Sequence, residues 1–159
     1  MEIELKPIIV EQKQDLSDML DEYLGLLSQY TREPLQKPYK YLDAYFQESN
    51  RKPFFITIET KIAGFALVNL KDPEANGEKQ SIAEFYVLSE YRGQGVGAEA
   101  VRQIFDMFVG NWIIRELPGN PAQLFWKKVI DRYTKGNFIE YEQNEEAGKR
   151  KVQEFSNLT

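Results

Sequence analysis

The chain has 159 residues, 42% hydrophobic and 13% aromatic, which suffices for one domain with a single substantial core and argues against disorder despite 28% charged residues. Twenty Lys and Arg stand against twenty-five Asp and Glu, and the resulting formal charge of −5 argues against a broad basic surface for nucleic acid while favouring a cationic partner. With no Cys and no His, disulfides, thiolate metal sites, an acyl-cysteine intermediate and imidazole acid–base chemistry are excluded, so no metal is expected and proton transfer falls to carboxylates, Tyr, Lys or water.

The N-terminus, Met-Glu-Ile-Glu-Leu-Lys, lacks the basic-then-apolar pattern of a secretory signal, and no apolar run approaches membrane-spanning length. A cytoplasmic protein without a membrane partner is expected. Glu2 to Val10 alternates as an edge strand does. A helix is predicted from Asp15, with Leu16, Met19, Leu20, Tyr23, Leu24 and Leu27 at helical spacing as its core stripe. Tyr30 to Tyr41, with Pro34 and Pro38, reads as a loop into a short helix over Asp43 to Phe46. Phe54 to Glu59 and Ile62 to Val68, separated by Thr60 and Lys61, are written as a tight hairpin, and Gly64 inside the second run marks a bulge or a close backbone approach. Asp72 to Gly77 is a turn-rich loop.

The chemistry concentrates in the next stretch. A strand-like run, Ile82 to Leu88, passes through Ser89-Glu90-Tyr91 into Arg92-Gly-Gln-Gly-Val-Gly97, and a helix follows with Ala98, Val101, Phe105 and Phe108 on one face and Gly110-Asn111 as its stop. Glycines at alternate positions leave backbone N–H groups unshielded, and the opening helix adds unpaired donors and a positive dipole end, so the turn suits a phosphate. A nucleoside-triphosphate loop requires Lys and Ser or Thr after the last Gly, whereas Ala98-Glu99 follows Gly97. A dinucleotide fingerprint is a rival, with Gly93, Gly95 and Ala98 at its spacing and Glu116 as the ribose acid of an oxidoreductase. Against it, four polar residues separate Leu88 from Gly93, and too few residues remain for a second nucleotide-binding half.

Arg92-x-x-Gly95-x-Gly97 after a strand resembles the pyrophosphate loop of the GNAT superfamily of acetyl-CoA-dependent N-acetyltransferases. The context extends the resemblance over nearly the whole chain: a strand at Trp112 to Leu117 leads to an Asn turn at Asn120 and a further helix through Trp126, and Phe138 to Glu142 and Lys151 to Phe155 close the chain as a hairpin. The resemblance implies a mixed α/β fold, a mostly antiparallel central sheet with helices on both faces, in one domain spanning the chain. It implies acetyl-CoA as cosubstrate, with Arg92 and the backbone of Gly93, Gln94, Gly95, Val96 and Gly97 on the pyrophosphate. The strand edge at Phe85, Val87 and Leu88, together with Asn120 and Trp126, would hold the pantetheine arm. A small-molecule amine would attack the thioester directly, with an N–H near Val87 or Leu88 stabilising the oxyanion. Glu84 is the candidate general base, its alternative being a packed polar side chain. Where the family often carries a Tyr acid on the last helix this chain has Trp126; Tyr86 and Tyr91 lie nearer the loop, and Tyr133 is badly placed by geometry. Asn120 is equally readable as an ordinary N-cap, and the tyrosines of the Tyr30 to Tyr41 segment as core anchors instead of acceptor contacts. A catalytically silent acyl-CoA-binding module stays open beside the enzyme, as does a homodimer.

Overall fold

The structure, a computed structural model, describes residues 1–146 and 148–159. Its elements run β1 (Ile3–Pro7), α1 (Lys13–Leu27), α2 (Ala44–Gln47), β2 (Arg51–Ile58), β3 (Lys61–Asn69), β4 (Gln80–Val87), α3 (Val96–Met107), β5 (Asn111–Glu116), α4 (Ala122–Thr134), β6 (Ile139–Glu145) and β7 (Gly148–Ser156). They form one seven-stranded sheet in the order β1-β2-β3-β4-β5-β7-β6, antiparallel everywhere except between β4 and β5. This is the mixed, mostly antiparallel sheet expected from the sequence, in the expected element order.

Each face of the sheet is sealed by one helical layer, because every paired strand alternates its side chains between the two. Leu16, Leu20 and Leu24 of α1 pack with Tyr39, Tyr45, Phe55, Phe65, Leu67 and Tyr86 on one face. Val101, Ile104 and Phe105 of α3 and Trp126 and Ile130 of α4 pack with Phe54, Ala66, Val68, Trp112 and Ile114 on the other. Of the predicted α1 stripe, Leu16, Leu20 and Leu24 are buried, Met19 and Tyr23 pack half-buried against them, and Leu27 is half-buried outside this cluster. On α3 the buried face is Val96, Ala100, Val101, Ile104 and Phe105, so Ala98 sits at its margin and Phe108 lies just past the helix.

Differences from the sequence reading are local. The hairpin turn is Glu59-Thr60 instead of Thr60-Lys61, both residues at positive φ (49° and 77°), since only the mirror-image turn matches the strand twist. The first strand ends at Pro7, and a short 3-10 turn at Val10–Gln12 leads directly into α1. Ala147, in the expected closing turn, lies outside the described residues.

Two devices fix β4. A Cβ at Gly64 would come within 2.0 Å of the Tyr86 carbonyl oxygen, so β3 and β4 approach closely enough there to admit only glycine. Further along, Leu67 pairs with Glu84 but Val68 pairs with Ile82, so Ala83 is an extra residue bulged out of β4. At the other neighbour, β4 pairs with β5 only through Gln80–Trp112 and Ser81–Ile113. Beyond Ser81 the two parallel strands part. The buried Asp72, ahead of β4, takes a two-pronged bond from Arg115 of β5 (2.8 and 3.1 Å) and so ties the two strands together despite the split.

Gly64→Ala is expected to destabilise the fold by about 3 kcal/mol through backbone overpacking. Urea unfolding at constant m-value checks this, and a cost near zero would show that β3 and β4 can part to admit a methyl group.

Candidate active site

The cleft opened between β4 and β5 is bordered by the glycine turn, Phe85 and the start of α4. Ser89–Tyr91 form a 3-10 turn, and the chain then passes Gly93 (φ +75°) and Gly95 (φ +80°) before α3 begins at Val96. Both glycines occupy the left-handed region, and the space a Cβ would enter at either is open. The first intrahelical bond is Glu99 N–H to Gly95 O (3.1 Å), so the N–H groups of Val96, Gly97 and Ala98 precede the helical ladder and present donors at a positive helix end. Gly97 is glycine for a different reason: a Cβ there would stand 3.1 Å from the Phe125 ring and 3.6 Å from that of Phe85. Gln94 turns its side-chain amide back to the Glu90 carbonyl (3.2 Å) and offers the loop its backbone.

Arg92 is exposed and folds back toward β4. Its Nε donates to Val87 O at 2.8 Å, and its guanidinium lies 5.4 Å from the centre of the Tyr86 ring. The two terminal nitrogens extend beyond this anchor.

Of the expected N–H donors on the strand, the Leu88 N–H is engaged with Ala63 O (2.8 Å). Successive strand residues direct their N–H groups to opposite edges, so the Val87 N–H faces the β5 side, where the ladder has ended. Of the two N–H groups expected near the oxyanion, that of Val87 is the one directed at the parted edge. Phe85 itself stacks on Phe125 (centroids 5.9 Å apart, planes at 21°) and meets Trp126 edge-on (5.3 Å), so these three rings form the floor between β4 and α4. Trp126 is buried in that stack. Asn120 Oδ1 accepts the Ala122 N–H (3.0 Å), which is the capping role foreseen for it, and its side-chain amide group extends beyond the cap.

Glu84 lies on the opposite face, toward α1. Its Oε1 accepts from Tyr23 Oη at 2.8 Å and its Oε2 from Tyr39 Oη at 2.9 Å. Burial pushes its pKa up to about 7, with the two phenol donors drawing it down. The phenols of Tyr23 and Tyr39 are in turn raised, chiefly by burial and then by the Glu84 charge. Tyr39 is thus both a core residue and a contact of the candidate base; the sequence marked its segment but not this pairing. Tyr23, read only as part of the α1 stripe, was missed. Tyr86 is buried on the same face against Tyr23 (5.5 Å) and Phe65 (5.8 Å), and its pKa is raised by burial and the Glu22 charge while Arg92 opposes. Tyr133 bonds Asp106 (2.8 Å) and stands apart from the cleft in the α3–α4 layer.

A groove of about 540 Å³ is lined by Tyr30, Thr31, Arg32 and Glu33 after α1, Leu117 and Pro118 after β5, and Glu145 and Glu146. It brings the expected acceptor-side segment to the ends of β5 and β6. Among the described residues no group of three or more acidic side chains is arranged to hold a metal ion, and no helix is long and apolar enough to cross a membrane.

Residues 16–130 match the model of the acetyltransferase (GNAT) family, and the chain belongs to that family. Solved structures share the fold at low identity. An acetyltransferase from Thermus thermophilus is 15% identical, with 98% of this chain and 97% of that one covered and a TM-score of 0.68. The aminoglycoside acetyltransferase AAC(6')-Ib, in complex with ribostamycin and coenzyme A, is 12% identical over 99% and 94% (TM-score 0.70). Spermidine N-acetyltransferase from Vibrio cholerae, in complex with CoA and spermine, is 10% identical over 97% and 95% (TM-score 0.66). No curated protein sequence matches the chain.

The dinucleotide alternative fails on this geometry. Among the described residues one pair of strands is parallel, and Glu116, its ribose acid, is 3% exposed. Neither Glu116 oxygen has a hydrogen-bond partner; the neighbouring Gln153 gives its amide to Glu140 (2.8 Å) instead. Burial, with some repulsion from Glu140, raises the Glu116 pKa to about 8 against a Gln153 effect of opposite sign. A carboxyl with a raised folded-state pKa stabilises the fold fully below its ordinary value of 4.5 and loses that contribution as pH rises through about 8. The Glu116 contribution to stability is therefore expected to fall between pH 5 and 8 by up to ~1.4 kcal/mol per pH unit, on top of a fall of the same sign from Glu84 that ends near pH 7. In Glu116→Gln, permanently neutral, the decline flattens, with a residual slope of the same sign from Glu84. Chemical unfolding across that range measures it, and equal slopes in the two proteins would show Glu116 to be charged and solvated in the fold.

Proposed function

We propose that this protein is an acetyl-CoA-dependent N-acetyltransferase that acetylates the primary amine of a small molecule by direct attack within a ternary complex. The observation that carries the reading is the end of the β4–β5 ladder after two residue pairs, beside a glycine turn that opens α3. A parted strand leaves backbone amide groups in need of partners, and an amide-bearing arm of CoA supplies them. The open space over Gly93 and Gly95 and the free N–H groups of the first turn of α3 suit a pyrophosphate, with the terminal nitrogens of Arg92 beside them. The Asn120 amide group and the ring floor of Phe85, Phe125 and Trp126 would flank the arm.

Acetyl-CoA supplies an activated acyl group, and the protein's part is to orient it and manage protons. The Val87 N–H is the donor available to the carbonyl oxygen as negative charge develops there. Glu84 takes the proton of the acceptor ammonium, directly or through one water, and the freed nitrogen lone pair forms the C–N bond as the C–S bond breaks. A base with a pKa of about 7 suits this step, being substantially ionised at neutral pH yet basic enough to accept a proton. The nitrogen's second proton leaves as the amide forms and passes through water to the departing thiolate, or Tyr86, the phenol of β4, protonates the thiolate and is reprotonated by that nitrogen through water.

The family membership and the small-amine complexes of the two structural relatives named above support the acceptor class. The acidic balance of the chain agrees with a cationic acceptor. Calorimetric titration with acetyl-CoA, with NADH as control, is expected to give saturable binding to the first alone, and a panel of small amines then gives turnover. Binding without turnover on any amine would favour the silent acyl-CoA module, a reading to which the burial of Trp126 at the helix-acid position lends weight. Glu84→Gln is expected to lower kcat about 100-fold or more and to abolish the acid limb of the kcat/KM profile near pH 7. An unchanged limb would remove Glu84 as base.

A further inference from the structure

Glu84 is held by two donors, and neither belongs to the strand that presents it. Tyr23 comes from α1, its ring fixed edge-on against Phe65 at 5.4 Å. Tyr39 comes from the segment joining α1 to α2; it is buried, and its ring meets Tyr41 edge-on at 5.8 Å. The carboxylate is thus clamped, one phenol hydrogen on each oxygen.

We propose that Tyr23 and Tyr39 are positioning residues that aim the Glu84 carboxylate and set the pH at which it ionises, so that seating of the acceptor-side segment arms the base. This rests on the reading of Glu84 as the base. The physical argument is one of competing effects. Burial favours the neutral acid, whereas a donated hydrogen bond favours the carboxylate, and a phenol whose only hydrogen is already donated cannot stabilise the protonated form equally well. The ionisable groups that face Glu84 are the phenols of Tyr23, Tyr39 and Tyr45; the Tyr45 hydroxyl is engaged with Asn69 Oδ1 (2.8 Å), and Arg51 lies beyond it, over the outer side of the Tyr45 ring. The partners of the carboxylate are therefore phenols instead of an ammonium or guanidinium. That choice leaves the base weakly biased toward ionisation, where a direct ion pair would quench its basicity. Because Tyr39 belongs to the segment whose earlier residues, Tyr30 to Glu33, line the groove, displacement of that segment removes one of the two donors.

The test is NMR titration of the Glu84 carboxyl in labelled protein, assigned with Glu84→Gln, in wild type and in Tyr23→Phe, Tyr39→Phe and Tyr45→Phe. Phenylalanine keeps each ring in place. Loss of either donor to Glu84 is expected to raise its titration by about one pH unit, while Tyr45→Phe leaves it unmoved. Turnover of Tyr23→Phe and Tyr39→Phe at pH 7 then falls about five-fold and returns above pH 9, a recovery that a merely structural defect would not give. A Glu84 titration unmoved in either Tyr23→Phe or Tyr39→Phe overturns the proposal. The two readings fail separately: if Glu84→Gln keeps the acid limb of the rate profile, the base role falls, yet the titration still decides whether the phenols govern the carboxyl.

Discussion

The structure turns on one extra residue in β4. Ala83 bulges from the β3–β4 ladder two residues after Ser81, the last residue of β4 to pair with β5. A bulge bends its strand and sharpens the local twist, and here the bend carries β4 away from its parallel neighbour. The same residue changes the parity of the strand. Ile82 packs with α3 and α4, and a regular strand would send Glu84 and Tyr86 to that side too; after the bulge, Tyr86 packs with α1 and Glu84 pairs with Leu67 of the same face. One insertion therefore opens the cleft and turns the carboxylate to the side where α1 and the groove-lining segment lie.

A cleft in a sheet exposes backbone groups that water or a ligand must satisfy, so the surrounding elements must hold it open at little cost in packing. Asp72 and Arg115 link the two strands across the split, while Phe85, Phe125 and Trp126 fill the space beneath it with rings. The glycine turn adds its donors at the strand's end, where the chain reverses into α3 without side chains at the two left-handed positions. The donors that the cleft leaves free are mainly backbone groups, and the aromatic side chains supply its shape.

This division explains how far the sequence could be read. The glycine loop was legible because its chemistry is local: spacing, left-handed glycines and a helix start lie within a few residues. The element order was legible from periodicity, and so was the close approach at Gly64, since a lone glycine in a strand has few explanations. The direction of Glu84 was not. It depends on a register shift against β3, and nothing in Ile82-Ala-Glu-Phe marks Ala83 as the residue left unpaired. Nor could the sequence bring Tyr23 and Tyr39 to Glu84, because those contacts span separations of 61 and 45 residues. Tyr23 sat in a helical stripe where an aromatic residue needs no explanation beyond the core, and Asn120 turned out to serve the local cap that its position before a helix had already suggested.

Two carboxyls of the central strands, the half-buried Glu84 and the buried Glu116, show what separates a structural acid from a candidate base. Glu84 and Glu116 are both pushed up by burial, and neither is neutralised by a direct cationic partner at bonding distance. Glu116 finds no donor, because its neighbour Gln153 is committed to Glu140; it titrates near 8 and is carried through neutral pH mostly as the uncharged acid. Glu84 receives one donor on each oxygen and titrates near 7. A carboxyl held neutral is inert as a proton acceptor, and one paired with Arg ionises too readily to be basic. Two phenols place Glu84 between these limits, because each offers a hydrogen bond without a charge and is itself too weak an acid to lose its proton to the carboxylate. The tyrosines of α1 and of the following segment thus connect the packing of that face of the sheet to the ionisation of the one acid that the bulge at Ala83 turns toward it.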